Sequence, residues 1–190
     1  VRRYKLKKNK FLLVHPEISR TKYNFAGVID NEPLELEYIY AMLKNDGYEP
    51  DIWDGQVEKI SLKEKLISMK PDFVYVCGRT RQENFMKEYC KAAKEICNSI
   101  TFIGGLHAQH SYKRFYTDYI DYILTTFDIY KILEIINGIN SEEIDGICYK
   151  NHGEWKENKA VPFEIEKLPL PDRSYFYKHT DRYRYLELLP

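Results

Sequence analysis

Residues 102–110 read FIGGLHAQH. The apolar pair Phe102-Ile103 stops at two adjacent glycines, and two histidines then follow three positions apart. One glycine is usually enough for a sharp turn. Two together remove two side chains and admit backbone angles with positive φ. The stretch therefore reads as the end of a buried strand, Ile100 to Ile103, opening onto a floor against which a ligand can lie. A phosphate loop and a metal site are the competing readings, and the rest of the chain separates them.

Working outward, PDFVYVCG (71–78) gives a strand from Phe73 to Cys77 closed by Gly78. FLLV (11–14), bounded by Lys10 and Pro16, is a buried first strand. Glu49–Trp53 and Asp121–Leu124 are two more. Between them fall helices at Pro33–Asp46, Leu62–Met69, Gln82–Asn98 and Ile129–Ile136, with a shorter one expected at Ser111–Thr117. Pro33 suits the first turn of its helix, Asp30 or Asn31 can cap it, and Gly47 ends it. The Gln82–Asn98 helix carries an apolar stripe at 86, 89, 90, 93, 96 and 97. Short apolar strands alternating with helices specify an α/β fold, Rossmann-like, with a five-stranded parallel sheet covered by helices on both faces. After residue 140 the pattern changes. GICYK and WKEN read as a small β-hairpin turning at His152-Gly153. FEIEKLPLPDR (163–173) reads as an extended linker, and the aromatic tail from Ser174 lies against the domain or is loose.

Composition excludes several classes. Charged residues make up 31% of the 190 and balance to zero, with a pI near 7.1. That argues against a nucleic-acid partner, which normally demands a basic excess on one face. No run of 18 apolar residues and no signal peptide are present, so neither a membrane partner nor export is expected. The cysteines at 77, 90, 97 and 148 lack zinc-knuckle or iron–sulfur spacing. Cys90 and Cys97 share the helical stripe and read as core packing, and free thiols fit a cytoplasmic location. A start at Val1 and an end at YLELLP read as a piece of a longer protein.

In an open parallel sheet, ligands bind beyond the carboxyl ends of the strands. The loop after the first strand, HPEISRTKYNFAGVIDNE (15–32), is the longest and carries Arg20, Lys22, Tyr23, Asn24 and Phe25. After the third strand comes GRTRQ (78–82). Gly78 allows close backbone approach, Thr80 can cap the next helix, and Arg79 and Arg81 read as ligand contacts or as a solvated helix start. His15 points to the same rim, as a ligand, a hydrogen-bond partner or a structural residue. His107 and His110 could share a helical face as metal ligands, but no carboxylate or cysteine stands nearby in sequence to complete a site.

Taken in order, VHPE (14–17), EPLELEYIYAMLKNDGYEPDIWD (32–54), LISMKPDFVYVCG (66–78), FIGGLHAQH (102–110), DYIDYILTT (118–126), EIDGICYK (143–150) and LPLPDR (168–173) resemble a known family. It is the N-terminal cobalamin-binding domain of cobalamin-dependent radical SAM enzymes, matched over roughly residues 10 to 175. The resemblance implies strand order 2-1-3-4-5 and a corrin ring over the carboxyl ends, with its nucleotide tail descending beside the sheet. It implies cofactor-binding roles for His15, Pro16 and Glu17, for Pro33 and Leu34, and for Gly78, Arg79 and Thr80. It implies the same for Gly104, Gly105, Leu106, His107 and Ala108, and for Thr125 and Thr126. No catalytic or metal-ligating residue is assigned. The implied division is residues 1–140 for the cobalamin-binding domain. Residues 141–190 form a hairpin and linker toward a radical SAM core, the partner domain in the parent chain, with a 4Fe-4S cluster and S-adenosylmethionine. The parent activity implied is methyl transfer or related radical chemistry.

Two departures from such relatives stand out. Cobalamin mutases and methionine synthases carry DxHxxG, whose histidine coordinates cobalt, whereas no Asp stands two before any of the five histidines here. That favours base-off cobalamin. Where relatives have a Gly-Glu-Gly-Glu loop, this chain has Thr125-Thr126-Phe127-Asp128, which makes close backbone approach harder. Two alternatives stay open. A cofactor-free Rossmann-like interaction domain fits that departure and the tyrosine-rich tail. A flavodoxin-like flavin domain would need a compact Ser/Thr/Gly cradle after the first strand, and HPEISRTKYNF supplies none.

Overall fold

The computed structural model describes residues 10–18 and 32–183. Seven strands form one sheet in the order β2-β1-β3-β4-β5-β6-β7. The first five, β1 (Lys10–His15), β2 (Glu49–Asp54), β3 (Phe73–Cys77), β4 (Ile100–Gly104) and β5 (Tyr122–Leu124), are parallel and give the expected 2-1-3-4-5 order. The hairpin β6 (Ile147–Asn151) and β7 (Glu154–Glu157) is no appendage. It continues the same sheet, β6 pairing antiparallel with β5 through Ile123↔Cys148. Its turn falls at His152 and Gly153, both at positive φ, the two-residue geometry that matches strand twist.

The alternation of side chains along each strand builds two cores. On one face Phe11, Phe73, Tyr75 and Phe102 meet Leu36, Ile39 and Leu43 of α1 (Leu34–Asn45) and Ile132 of α5 (Lys131–Ile136). On the other, Leu12, Val14, Val74, Val76 and Ile103 meet Leu66 of α2 (Leu62–Met69), Met86, Cys90 and Ala93 of α3 (Glu83–Cys97) and Ala108 of α4 (Leu106–Ser111). The stripe on α3 is real, but its C-terminal end at Ile96 is exposed. Ser61 and Glu64 form a reciprocal capping box that starts α2.

Two helix starts differ from expectation. The short helix expected at Ser111–Thr117 begins earlier, at Leu106, directly after Gly105, and continues as a 3-10 turn at Tyr112–Phe115. The glycine at φ +86 turns the chain within one residue, so no loop is needed. Thr80 does not cap α3. Its hydroxyl lies 3.2 Å from His107 Nδ1, while the Arg79 N–H donates to Gln82 Oε1 at 2.8 Å. The expected caps Asp30 and Asn31 lie outside the described residues.

The C-terminal stretch packs on the domain. Lys44 bonds Asp172 at 3.0 Å, and Arg173 grips Glu32 with two nitrogens. α6 (Ser174–Lys178) places Phe176 with Tyr183 and Val57 in a small satellite core. Tyr183 donates to Asp54 Oδ2 at 3.0 Å, and Arg182 donates to the Val57 carbonyl.

Beside this contact Glu37 is fully buried, and both its carboxylate oxygens lack a hydrogen-bond partner among the described residues. Burial, with the charges of Glu32 and Asp172, pushes its pKa up to about 7 against the pull of Arg173. A folded pKa above the ordinary 4.5 means stability is fully present below that value and is lost as pH rises through about 7. Glu37→Gln is therefore expected to be more stable than the wild type by about 1–3 kcal/mol at pH 8. The gap should close toward pH 4.5, as read by urea unfolding at both values. A gap independent of pH would show that Glu37 does not titrate.

Candidate functional site

Strand β4 ends in the two glycines, and the structure gives each a separate reason. Gly104 and Tyr75 sit on the same face of neighbouring strands. A Cβ on Gly104 would lie 1.8 Å from Tyr75 Oη. Tyr75 is buried and donates to Glu35 Oε1 at 2.6 Å. A Cβ on Gly105 would lie 3.0 Å from Glu35 Oε2. The space cleared by the glycine pair is thus held by a Tyr75–Glu35 hydrogen bond. Burial raises the Glu35 pKa, opposed by the Tyr75 hydroxyl and by His15.

This pair forms the foot of a cleft of about 230 Å³ at the carboxyl ends of the strands. Leu34, Glu35 and Tyr38 of α1 make one wall, and Leu124 at the end of β5 with Thr126 and Phe127 after it make another. Ile165 and Leu168, from the stretch expected to be an extended linker, close a third side. The lining is overwhelmingly apolar. Of its lining, Leu34 (43% exposed), Phe127 (56%) and Ile165 (64%) leave an apolar rim open to solvent. Thr126 is fixed in the wall. Its hydroxyl accepts from the Asp128 N–H, its carbonyl accepts from Gln109, and its methyl packs where Gly146 has no Cβ.

A second, polar cluster occupies the same end of the sheet nearer β1. His15 Nδ1 lies 3.1 Å from Gln56 Nε2 and 3.5 Å from Asp54 Oδ1, and His15 Nε2 lies 3.4 Å from Gln82. Gln82 also donates to the Pro16 carbonyl, and Tyr89 donates to Glu17. Gly78 lets α3 close in, since a Cβ there would meet Met86 and Gln82 at 3.1 and 3.2 Å. Farther along, His107 Nε2 lies 2.9 Å from Glu83 Oε2, and its ring meets Phe115 edge-on. Burial pushes the Glu83 pKa up, but Lys87, Arg114 and His107 outweigh it and hold it near 2.

Of the residues singled out from sequence, Leu34 and Thr126 line the cleft and Gly104 and Gly105 shape its foot. Leu106 is exposed at the start of α4. Pro33 and Ala108 are buried, and Thr125 donates its N–H to the Gly146 carbonyl at 2.8 Å. His15, Pro16, Glu17, Gly78, Thr80 and His107 sit in the polar clusters instead, and Arg79 is exposed. Arg20, Lys22, Tyr23, Asn24 and Phe25 lie outside the described residues. Sequence reasoning missed Tyr75, Glu35, Tyr38 and Gln109. The available signal was a tyrosine inside an otherwise apolar strand, next to a strand ending in two glycines.

A model of the B12 binding domain matches residues 28–128, more than half of the chain. The chain belongs to the B12-binding domain family. Among solved structures it is similar to the cobalamin-dependent S-adenosylmethionine radical enzyme OxsB with aqua-cobalamin bound. That match has 19% identity and a TM-score of 0.74, over 91% of this chain and 25% of that one. It is also similar to the radical S-adenosylmethionine methyltransferase TsrM from Kitasatospora setae with cobalamin and a [4Fe-4S] cluster bound. Here identity is 16% and the TM-score 0.63, over 87% of this chain and 31% of that one. At such identities the likeness is one of fold, and this B12-binding domain spans about a quarter to a third of those chains. No curated protein matches it.

The Tyr75–Gly104 contact predicts a double-mutant result. Gly104→Ala is expected to destabilise the domain by about 1–3 kcal/mol through overpacking. Tyr75→Phe removes the closest atom. In the double variant the cost of the alanine should fall, giving a coupling of at least about 0.5 kcal/mol by denaturant unfolding. Strict additivity would mean that the phenol does not hold that space.

Proposed function

We propose that this chain is the cobalamin-holding module of a larger cobalamin-dependent radical SAM enzyme. The observation that carries the reading is the apolar cleft at the carboxyl ends of β4 and β5, bordered by the glycine pair, in a chain of the B12-binding family. At about 230 Å³ the cleft is smaller than the roughly 300–1,000 Å³ usual for drug-sized ligands. It suits a flat heterocyclic base and not a whole macrocycle. The exposed apolar rim of Leu34, Phe127 and Ile165 offers a surface for the larger ring. The residues present therefore fit the group.

Gly104 makes room for the Tyr75 phenol and Gly105 for the Glu35 carboxyl at the cleft foot, Leu34 and Thr126 form the walls, and Leu106 would border the ring's side. His15, Pro16, Glu17, Pro33, Gly78, Arg79, Thr80, His107, Ala108 and Thr125 belong to the proposed contact set at or behind the rim. The His15 ring is held among Gln56, Gln82 and Asp54 and orients that edge. The chemistry cobalamin supplies when bound is methyl transfer or a related radical reaction. The cluster and the S-adenosylmethionine would be held by a core beyond residues 141–190, and residues 1–140 would hold the corrinoid. Four free cysteines support a cytoplasmic setting. No helix among the described residues is long and apolar enough to cross a membrane.

The test is to mix the purified chain with hydroxocobalamin, desalt it and record its visible spectrum. Retained corrin bands are expected. Gly105→Trp, which fills the floor with a bulky ring, should abolish retention. A folded wild type that elutes colourless, with Gly105→Trp no different, would defeat the reading of an autonomous module.

A further inference from the structure

Among the described residues, Glu35 is the one carboxylate that lines the apolar cleft. Its Oε1 is committed to the Tyr75 hydroxyl at 2.6 Å. Its Oε2 is not engaged by Tyr75 and lies against Gly105, 3.0 Å from where a side chain there would begin. Leu34 and Tyr38 flank it on α1, and Leu124 and Phe127 stand across the slot. The other polar side chains of the lining besides Tyr75 are Tyr38, Gln109 and Thr126, with Gln109 donating to the Thr126 carbonyl, and a carboxyl at the foot of a largely apolar slot is the group most costly to leave unpaired. The arrangement favours a flat aromatic ligand with one polar edge over a plain hydrocarbon.

We infer that Glu35, braced by Tyr75, reads the nucleotide base of the corrinoid, hydrogen-bonding a ring nitrogen that is not attached to cobalt. The inference rests on the cofactor-holding reading above and adds a specificity-determining residue to it. A base detached from the metal presents an unprotonated nitrogen, which is an acceptor and needs a donor. Tyr75 is not free for that role, because its proton is given to Glu35. The carboxyl of Glu35 can supply it, and its raised pKa keeps a proton available there to higher pH than for an ordinary glutamate. The brace fixes the carboxyl rotamer, so the donor is already oriented before the base enters. A corrinoid without a nucleotide base gains nothing from this group, and discrimination follows from leaving a buried polar group unpaired.

The experiment titrates the chain with two probes, hydroxocobalamin and cobinamide, the latter having the corrin ring but no nucleotide. Affinities are read by visible difference spectra, with folding of each variant checked by circular dichroism. The wild type is expected to bind cobalamin more tightly than cobinamide. Glu35→Leu should weaken cobalamin at least tenfold and leave cobinamide within twofold. Glu35→Gln, which keeps a donor of similar shape, should retain most of the preference, and Tyr75→Phe should lose several-fold through the missing brace. Glu35→Leu leaves the Tyr75 hydroxyl without its acceptor, so where its circular dichroism departs from the wild type the comparison is made between Tyr75→Phe and Glu35→Leu combined with Tyr75→Phe, which leave no phenol unpaired. Equal affinity of the wild type for both probes overturns the inference while leaving the module reading intact. So does an equal loss for both probes in Glu35→Leu. A wild type that binds neither probe overturns the module reading and the inference together.

Discussion

The phenol of Tyr75 lies across the backbone of Gly104, and the functional end of the molecule is organised around that contact. Any side chain at residue 104 would collide with it. Tyr75 also continues a row of rings on the same face of the sheet. Phe11 stacks with Phe73 at 5.4 Å and with Phe102 at 5.9 Å, and Phe102 stacks with Tyr122 at 5.4 Å. Four adjacent strands thus contribute rings to one packed layer, each pair adding to the area it buries. The layer ends at the cleft, where the last ring carries a hydroxyl. Core packing and cleft chemistry share one side chain, so the position of the Glu35 carboxyl is set by the hydrophobic core.

The other end of the same rim is set by charge. Asp54 closes β2, is fully buried, and accepts from the Gln56 backbone, the Gln56 side chain and Tyr183. Its own N–H donates to the Tyr175 hydroxyl, which in turn donates to Glu58. A buried carboxylate with this many donors is satisfied. Glu37, one helix away, has none among the described residues and is pushed toward protonation. The contrast explains why the tail from Asp172 to Tyr183 belongs to the folded unit. Its tyrosines complete the hydrogen bonding of Asp54, and through Asp54 they fix His15. The abundance of tyrosine, unreadable as composition, is accounted for by rings that are apolar along their length and polar at the tip.

The parallel sheet was legible because its information is local. Phe73–Cys77 and Leu62–Met69 are bounded as their apolar runs predict, and Gly47, Gly78 and His152-Gly153 sit at the turns they announce. The early start of α4 was not legible, because a helix beginning one residue after a strand depends on a single glycine angle. The join of β6 to β5 was not legible either, since a hairpin does not declare which edge it will pair with. The site divided along the same line. The glycines and Thr126 stood in loops that the fold rule pointed to. Tyr75 and Glu35 are forty residues apart, and only the packing of α1, in the crossover from β1 to β2, on the face that carries Tyr75 brings them together.

That division bears on how the two histidine positions are read. His15 and His107 attract attention in sequence because histidine is versatile, yet both are tied by neighbours at the rim. His107 is held by Glu83, whose charge is already shared with Lys87 and Arg114. His15 is held by two glutamines and Asp54. A side chain already spending its hydrogen bonds on the protein has little left for a ligand, and it serves better as a fixed edge. The cleft shows the opposite condition, with largely apolar walls and a carboxyl braced through one oxygen by Tyr75. The proposed reading of the ligand therefore falls to Glu35, whose carboxyl lines the cleft with one oxygen not engaged by Tyr75, and to neither histidine.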